Sequence, residues 1–202
     1  MASKGYDQAG VKELLLQALE TERGGIKIYT AAIEAAVNDD LRKEFQEYLK
    51  ETRRHEKVLT GVFSELNMDT EEMSPGREVC AHNGASLVAA IELAMKKADP
   101  ASAELVACEC VVLAETKDHT NWELIGKVAE AADDKVATVL KAAYDEVEDD
   151  EDHHLYHTRG WCRELWIQSL GMPAVLPPPE EVKQVETAIG AARAEQARED
   201  ML

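Results

Sequence analysis

Four stretches of this chain carry apolar residues at spacings of three and four over many turns, and each apolar line is interrupted by a carboxylate or an imidazole. The first, Gln8 to Val37, reads Val11, Leu15, Ala18, Glu22, Ile26, Tyr29, Ile33 and Ala36. The second opens at Asn38-Asp39-Asp40 and runs to Leu66 through Leu41, Phe45, Tyr48, Thr52, His55, Leu59 and Val62, with Glu51 beside the line. The third, Ser102 to Ala131, reads Leu105, Cys108, Val112, Glu115, His119, Trp122, Gly126 and Ala129. The fourth, Lys135 to Leu170, reads Val136, Leu140, Ala143 and Val147 and continues through Asp150, His154 and Trp161. Such a chain is expected to lay four long helices side by side and bury these lines, ionisable groups included.

The connections refine the expectation. Two short turns make two helix hairpins, and the stretch from Asn67 to Ser86, rich in Asp, Ser, Pro, Asn and Gly, reads as a long loop ahead of a short helix, Leu87 to Lys97. A four-helix bundle with one long crossover follows, residues 1–171, and Pro177-Pro178-Pro179 leads into a helix-prone C-terminal arm, residues 172–202. With 202 residues, 5% aromatics and no alternating strand pattern, the predicted class is all-α. The halves look duplicated: Glu22 precedes Tyr29 by seven residues, and Glu115 precedes Trp122 by seven.

Forty acidic against 22 basic residues leave a charge of −18, which disfavours nucleic acid and anionic membrane surfaces as partners. No apolar run reaches the roughly 20 residues of a membrane span. Only Met1 to Lys4 precede the polar start and the four cysteines are scattered, so a cytoplasmic, reducing location is expected. Leu14, Leu16, Leu19, Val58 and Phe63 lie beside the apolar lines and point to a homo-oligomer, a dimer or larger.

Buried ionisable groups cost several kcal/mol each unless something compensates them, and ligands of one site must share one depth. Glu22 lies 17 residues before the first turn, and Glu51 and His55 lie 11 and 15 after it; Glu115 lies 18 before the second, with Glu146 and Asp150 12 and 16 after it. At about 1.5 Å per residue these fall within one or two turns of one level, with His119 and His154 about a turn away. Carboxylates and imidazoles converging inside a bundle suit a pair of iron or manganese ions. The run Asp145 to Asp152 adds seven acids in eight residues, followed by His153, His154 and His157, and is expected to need cations to stay helical.

At these residues the chain resembles the ferritin-like superfamily, in its rubrerythrin and YciF-type branch. The resemblance rests on Glu22 with Tyr29, the run Tyr48-Leu-Lys-Glu51-Thr-Arg-Arg-His55, Glu115 with Trp122, and Leu140-Lys-Ala-Ala-Tyr-Asp145-Glu146, and covers residues 8 to 170. The common Glu-x-x-His of the second helix would need Glu at position 52, where this chain has Thr52; the YciF-type pattern implies that Glu51 reaches the metal instead. On the fourth helix two registers stand open, Glu146 with Asp150 from depth and Glu151 with His154 as a formal Glu-x-x-His. The expected function is a di-metal protein that handles iron with O2 or peroxide, as a ferroxidase or a stress-related oxidase or peroxidase. The alternative is a non-catalytic helical stress or scaffold protein, and a third reading is an oxygenase with an open channel. Cys108-Glu-Cys110 puts its thiols on opposite sides of a helix and reads as ordinary packing, while Cys80 and His82 could meet a metal only with help from Cys162.

Overall fold

The computed structural model describes residues 5–202; Met1 to Lys4, on which the expected lack of a leader rests, lie outside the described residues. The described chain is all helical: α1 (Gln8–Ala35), α2 (Asp39–Glu65), α3 (Pro75–Lys97), α4 (Pro100–Ala131), α5 (Lys135–Ser169), α6 (Pro179–Val182), α7 (Ala188–Gln196) and a terminal 3-10 turn, Ala197–Met201. Each long helix starts where a side chain can take up its free N–H groups. Asp7 accepts from Gly10, Asn38 from Asp40 and Leu41, Ser74 from Arg77, Asp99 from Ala101 and Ser102, and Asp134 from Val136. Each cap stabilises its helix by about 1 kcal/mol.

The long helices form a ring in the order α1, α2, α5, α4. Every neighbour is antiparallel, since Glu22 meets Trp122 and Val37 meets Glu104 between α1 and α4, while Glu51 meets His154 and Glu65 meets Lys135 between α2 and α5. The helices α2 and α4 therefore run the same way, and the chain must climb back along the bundle between them. The 23 residues of α3 span about 35 Å at the usual rise and do this on the outside of α1 and α4.

This corrects the expected loop. Ser74 and Pro75 are the N-cap and first residue of α3, and Asn83-Gly84 is mid-helix, where a side chain on Gly84 would stand 3.4 Å from the Cα of Gly24. Arg77, 2% exposed, locks the start of α3 by donating to Glu20 and to the carbonyls of Thr70 and Glu72. Leu16, Leu19 and Phe63, expected on spare surface, are buried in the core with Leu59, Trp122 and Leu140, so they offer no apolar face to a second copy. Among the described residues no helix is long and apolar enough to cross a membrane.

The arm is tied to α5 by polar contacts. Arg163 grips both carboxylate oxygens of Glu180 at 2.7 and 2.9 Å, and Arg198 and the Val175 N–H converge on buried Glu164. A side chain on Gly160 would meet Pro178 at 3.1 Å, so that glycine admits the linker.

Candidate metal centre

Halfway along the bundle the buried lines bring together Glu22, His55, Glu115, Asp118, Glu151 and His154, none more than 5% exposed. Two sets of donor atoms lie within 4.8 Å of one another: His55, Glu151 and His154, and Glu22, Asp118 and Glu151. Glu151 belongs to both. Its side chain points inward because the buried line of α5 steps from Val147 to Glu151, His154, Thr158 and Trp161.

The outer atoms of the cluster are held and the inner ones are not. Tyr29 donates to Glu115 at 2.7 Å, and Trp122 donates to Glu22 at 2.8 Å. Each imidazole has its Nε2 against a carboxylate on the opposing helix, His55 at 3.0 Å from Asp150 and His154 at 2.8 Å from Glu51. Their Nδ1 atoms face the interior. His55 Nδ1 is 2.9 Å from Glu151, and His154 Nδ1 is 3.6 Å from Glu115 and 4.0 Å from Glu151, yet neither nitrogen makes a well-directed hydrogen bond. Glu22 Oε2, Glu115 Oε2, Asp118 Oδ1 and Glu151 Oε2 are likewise buried without a hydrogen-bond partner. Native interiors rarely leave buried polar atoms orphaned, and here six converge.

The electrostatics match that picture. Burial, with Asp118 and Glu151 close by, pushes Glu22 well above the usual carboxylate range, and burial beside Glu151 and Glu115 does the same to Asp118. Burial opposes protonation of His154, but the facing carboxylates of Glu115 and Glu51 outweigh this and raise it to about 10. Glu51 is lowered by its bond from His154. Burial works against ionised Asp150, and contact with His55 and Arg54 overcomes it. Four carboxylates and two imidazoles with inward lone pairs could hold two divalent cations, whose four charges would balance the four acids. Carboxylates behind the Nε2 atoms would fix each ring for such a role.

Of the residues singled out in the sequence, Glu22, His55, Glu115 and His154 meet in the cluster, and Glu51 and Asp150 stand behind the histidines. Glu146 is corrected: it is exposed, because its neighbour Val147 takes the inward position. His119 is turned aside to Asp152, 2.6 Å away, on a half-buried flank. Asp118 was missed. The acidic run separates accordingly: Asp145 pairs with Lys141, Asp150 with Arg54 and His55, Asp152 with His119, and Glu151 turns inward. Cys80 lies beside Gln17 while Cys162 packs with the other core cluster, so they share no site.

Two small clefts approach the cluster. One of about 180 Å³ reaches Glu151 beside Trp122 and Tyr144, and one of about 290 Å³ reaches Glu51 and Asp150. A further cavity of about 390 Å³, between α1, α3 and α4, is lined by Gly24, Cys80, Gly84 and Lys117 and shares no residue with the cluster. Comparison with protein-family models, curated proteins and solved structures found no match.

Proposed function

We propose that this chain is a ferritin-like carboxylate protein that holds two iron or manganese ions and handles iron with O2 or peroxide. The observation that carries the reading is the convergence of six buried, hydrogen-bond-free donor atoms from all four long helices. The antiparallel ring with its crossover between α2 and α4 supports the ferritin-like assignment, since such folds draw carboxylates and a Glu-x-x-His from facing helices. Here that motif is Glu151-Asp-His-His154.

Held by this cluster, a pair of iron or manganese ions would supply one-electron redox chemistry and positive charge. The chain's own residues do the rest. Glu151, common to both donor sets, is the carboxylate able to face two cations at once. Glu51 and Asp150 hold the imidazole Nδ1 atoms inward, and Tyr29 and Trp122 fix the outer oxygens of Glu115 and Glu22. Clefts of about 180 and 290 Å³ suit ions, O2 or peroxide rather than a large organic substrate, which counts against an oxygenase.

Metal analysis after anaerobic reconstitution tests the proposal. The parent chain is expected to bind two equivalents of iron or manganese more than a Glu151→Gln control, and to oxidise Fe(II) faster than that control. A chain that binds neither metal is instead a bundle whose buried acids are kept neutral by protons, a scaffold without a centre.

A further inference from the structure

A second group of donors lies where α5 meets the C-terminal arm. His153 and His157 are four residues apart on α5, a spacing that presents two imidazoles on one helix face, and their rings stack with centroids 3.6 Å apart. Glu181, from α6, brings its carboxylate to within 2.7 Å of His157 Nδ1. Donor atoms of these three residues lie within 4.8 Å of one another. None of the three belongs to the cluster described above.

The hydrogen bonding of His157 is the informative detail. Its Nε2 is 2.9 Å from the carbonyl oxygen of Val185, which can only accept, so Nε2 carries a proton and donates it. Nδ1 then presents to Glu181 either a second proton or a lone pair, and two facing lone pairs at that distance require a cation between them. An imidazole whose far nitrogen donates to a backbone carbonyl is the usual arrangement of a metal-bound histidine. A second carboxyl, Glu44 of α2, lies against Glu181; burial and that neighbour raise it to about 7. The group is reached from solvent by the 290 Å³ cleft, where His153 stands among Glu44, Glu47, Asp149 and Glu186.

We propose that His153, His157 and Glu181 form a separate mononuclear site for one divalent transition-metal ion, which fastens the C-terminal arm to the bundle. Two imidazoles and a carboxylate favour zinc, cobalt or ferrous iron over magnesium or calcium. Glu44 is positioned to add a fourth donor. Because Glu181 comes from the arm and both histidines from α5, an ion here joins segments that are otherwise held by the Arg163 and Arg198 contacts and by the His157 bond to Val185.

Cobalt(II) titration of the metal-free full chain tests this, with stoichiometry from equilibrium dialysis and the visible cobalt bands as a second readout. His153→Ala and Glu181→Gln are each expected to bind one equivalent fewer than the parent chain, and a Glu22→Gln/Glu151→Gln double variant is expected to keep that equivalent. His153 makes no hydrogen bond to the arm among the described residues, so its removal leaves the metal-free arm docked. Cobalt should therefore slow amide exchange across residues 179–196 in the parent chain and leave the His153→Ala variant unchanged. Equal stoichiometry in parent and His153→Ala, or no cobalt bound by the double variant, overturns the site and means that a proton bridges His157 and Glu181. If the parent binds a single ion that His153→Ala abolishes, this site stands and the proposed ion pair falls.

Discussion

Laid on each other, the α1–α2 and α4–α5 hairpins match residue for residue: Glu22 with Glu115, Tyr29 with Trp122, Glu51 with Asp150, and His55 with His154. The bonds between them are reciprocal, because Tyr29 serves Glu115 and Trp122 serves Glu22, while Glu51 backs His154 and Asp150 backs His55. The match breaks at one facing pair. Where α4 and α5 present Asp118 and Glu151, α1 and α2 present Gly25 and Thr52. A side chain on Gly25 would stand 3.2 Å from the Thr52 methyl, and the Thr52 hydroxyl donates to the Tyr48 carbonyl rather than to the cluster. One hairpin thus has no carboxylate at this pair where the other has two, and the four buried acids of the cluster still balance two divalent ions.

The sharpest test of this asymmetry is to remove each side of it. Glu151→Gln should abolish binding of both ions, because that carboxylate is in both donor sets, whereas Thr52→Val should leave the stoichiometry intact; inductively coupled plasma analysis of the reconstituted chains distinguishes them. Asp118→Asn should lose one of the two ions. Making the two facing pairs alike, each a glycine opposite a glutamate, as Asp118→Gly with Thr52→Glu, should recover it, and failure to do so would mean that the halves are not interchangeable.

A stability profile of the metal-free chain reads the same cluster. Glu22 and Asp118, raised in the fold, keep protons that the unfolded chain has released, so their contribution is lost as pH rises through their folded values. His154, raised to about 10, contributes below its unfolded value near 6.5 and loses that contribution as pH rises toward 10. All three have the same sign, and the melting temperature of the metal-free chain should fall between about pH 7 and pH 9.5. Saturating Mn(II), which replaces the protons, should flatten the slope. Smaller effects come from the reciprocal bonds. Tyr29→Phe and Trp122→Phe each orphan a buried carboxylate oxygen and should cost about 1–3 kcal/mol in urea titration. The smallest effect is expected of Glu146→Gln, which should change neither metal content nor stability measurably, since that side chain is exposed.

The four long helices were legible because a line of Leu, Ile, Val and Ala at helical spacing has one way to be buried. Glu22, His55, Glu115 and His154 were legible for the same reason, as polar interruptions of those lines. The third helix misled by one residue. Val112 and His119 fit the helical spacing as well as the buried Val111 and Asp118 do, and an Asp is the less expected core residue. The clue was the pair Glu115-x-x-Asp118, which faces Glu151-x-x-His154. On α5 the choice between Asp150 and Glu151 was a step of three or four from Val147, which depth counting along separate helices does not resolve: the five steps from Glu146 to Glu151 cover only about 7.5 Å. The crossover was misjudged because Ser, Pro, Asn and Gly were read as breakers, while Ser74 and Pro75 start a helix and Gly84 lets it lie close to α1.

The exchange of aromatic donors between hairpins also bears on how the chain folds. A lone α1–α2 hairpin buries Glu22 without Trp122 and leaves Tyr29 with no carboxylate to bind, and a lone α4–α5 hairpin has the converse deficit. Neither half is a satisfactory substructure, so half-formed bundles are penalised relative to both the open chain and the complete one. The expected result is a single cooperative transition, with coincident loss of helix and of tryptophan burial, despite a sequence that looks like two copies of one unit.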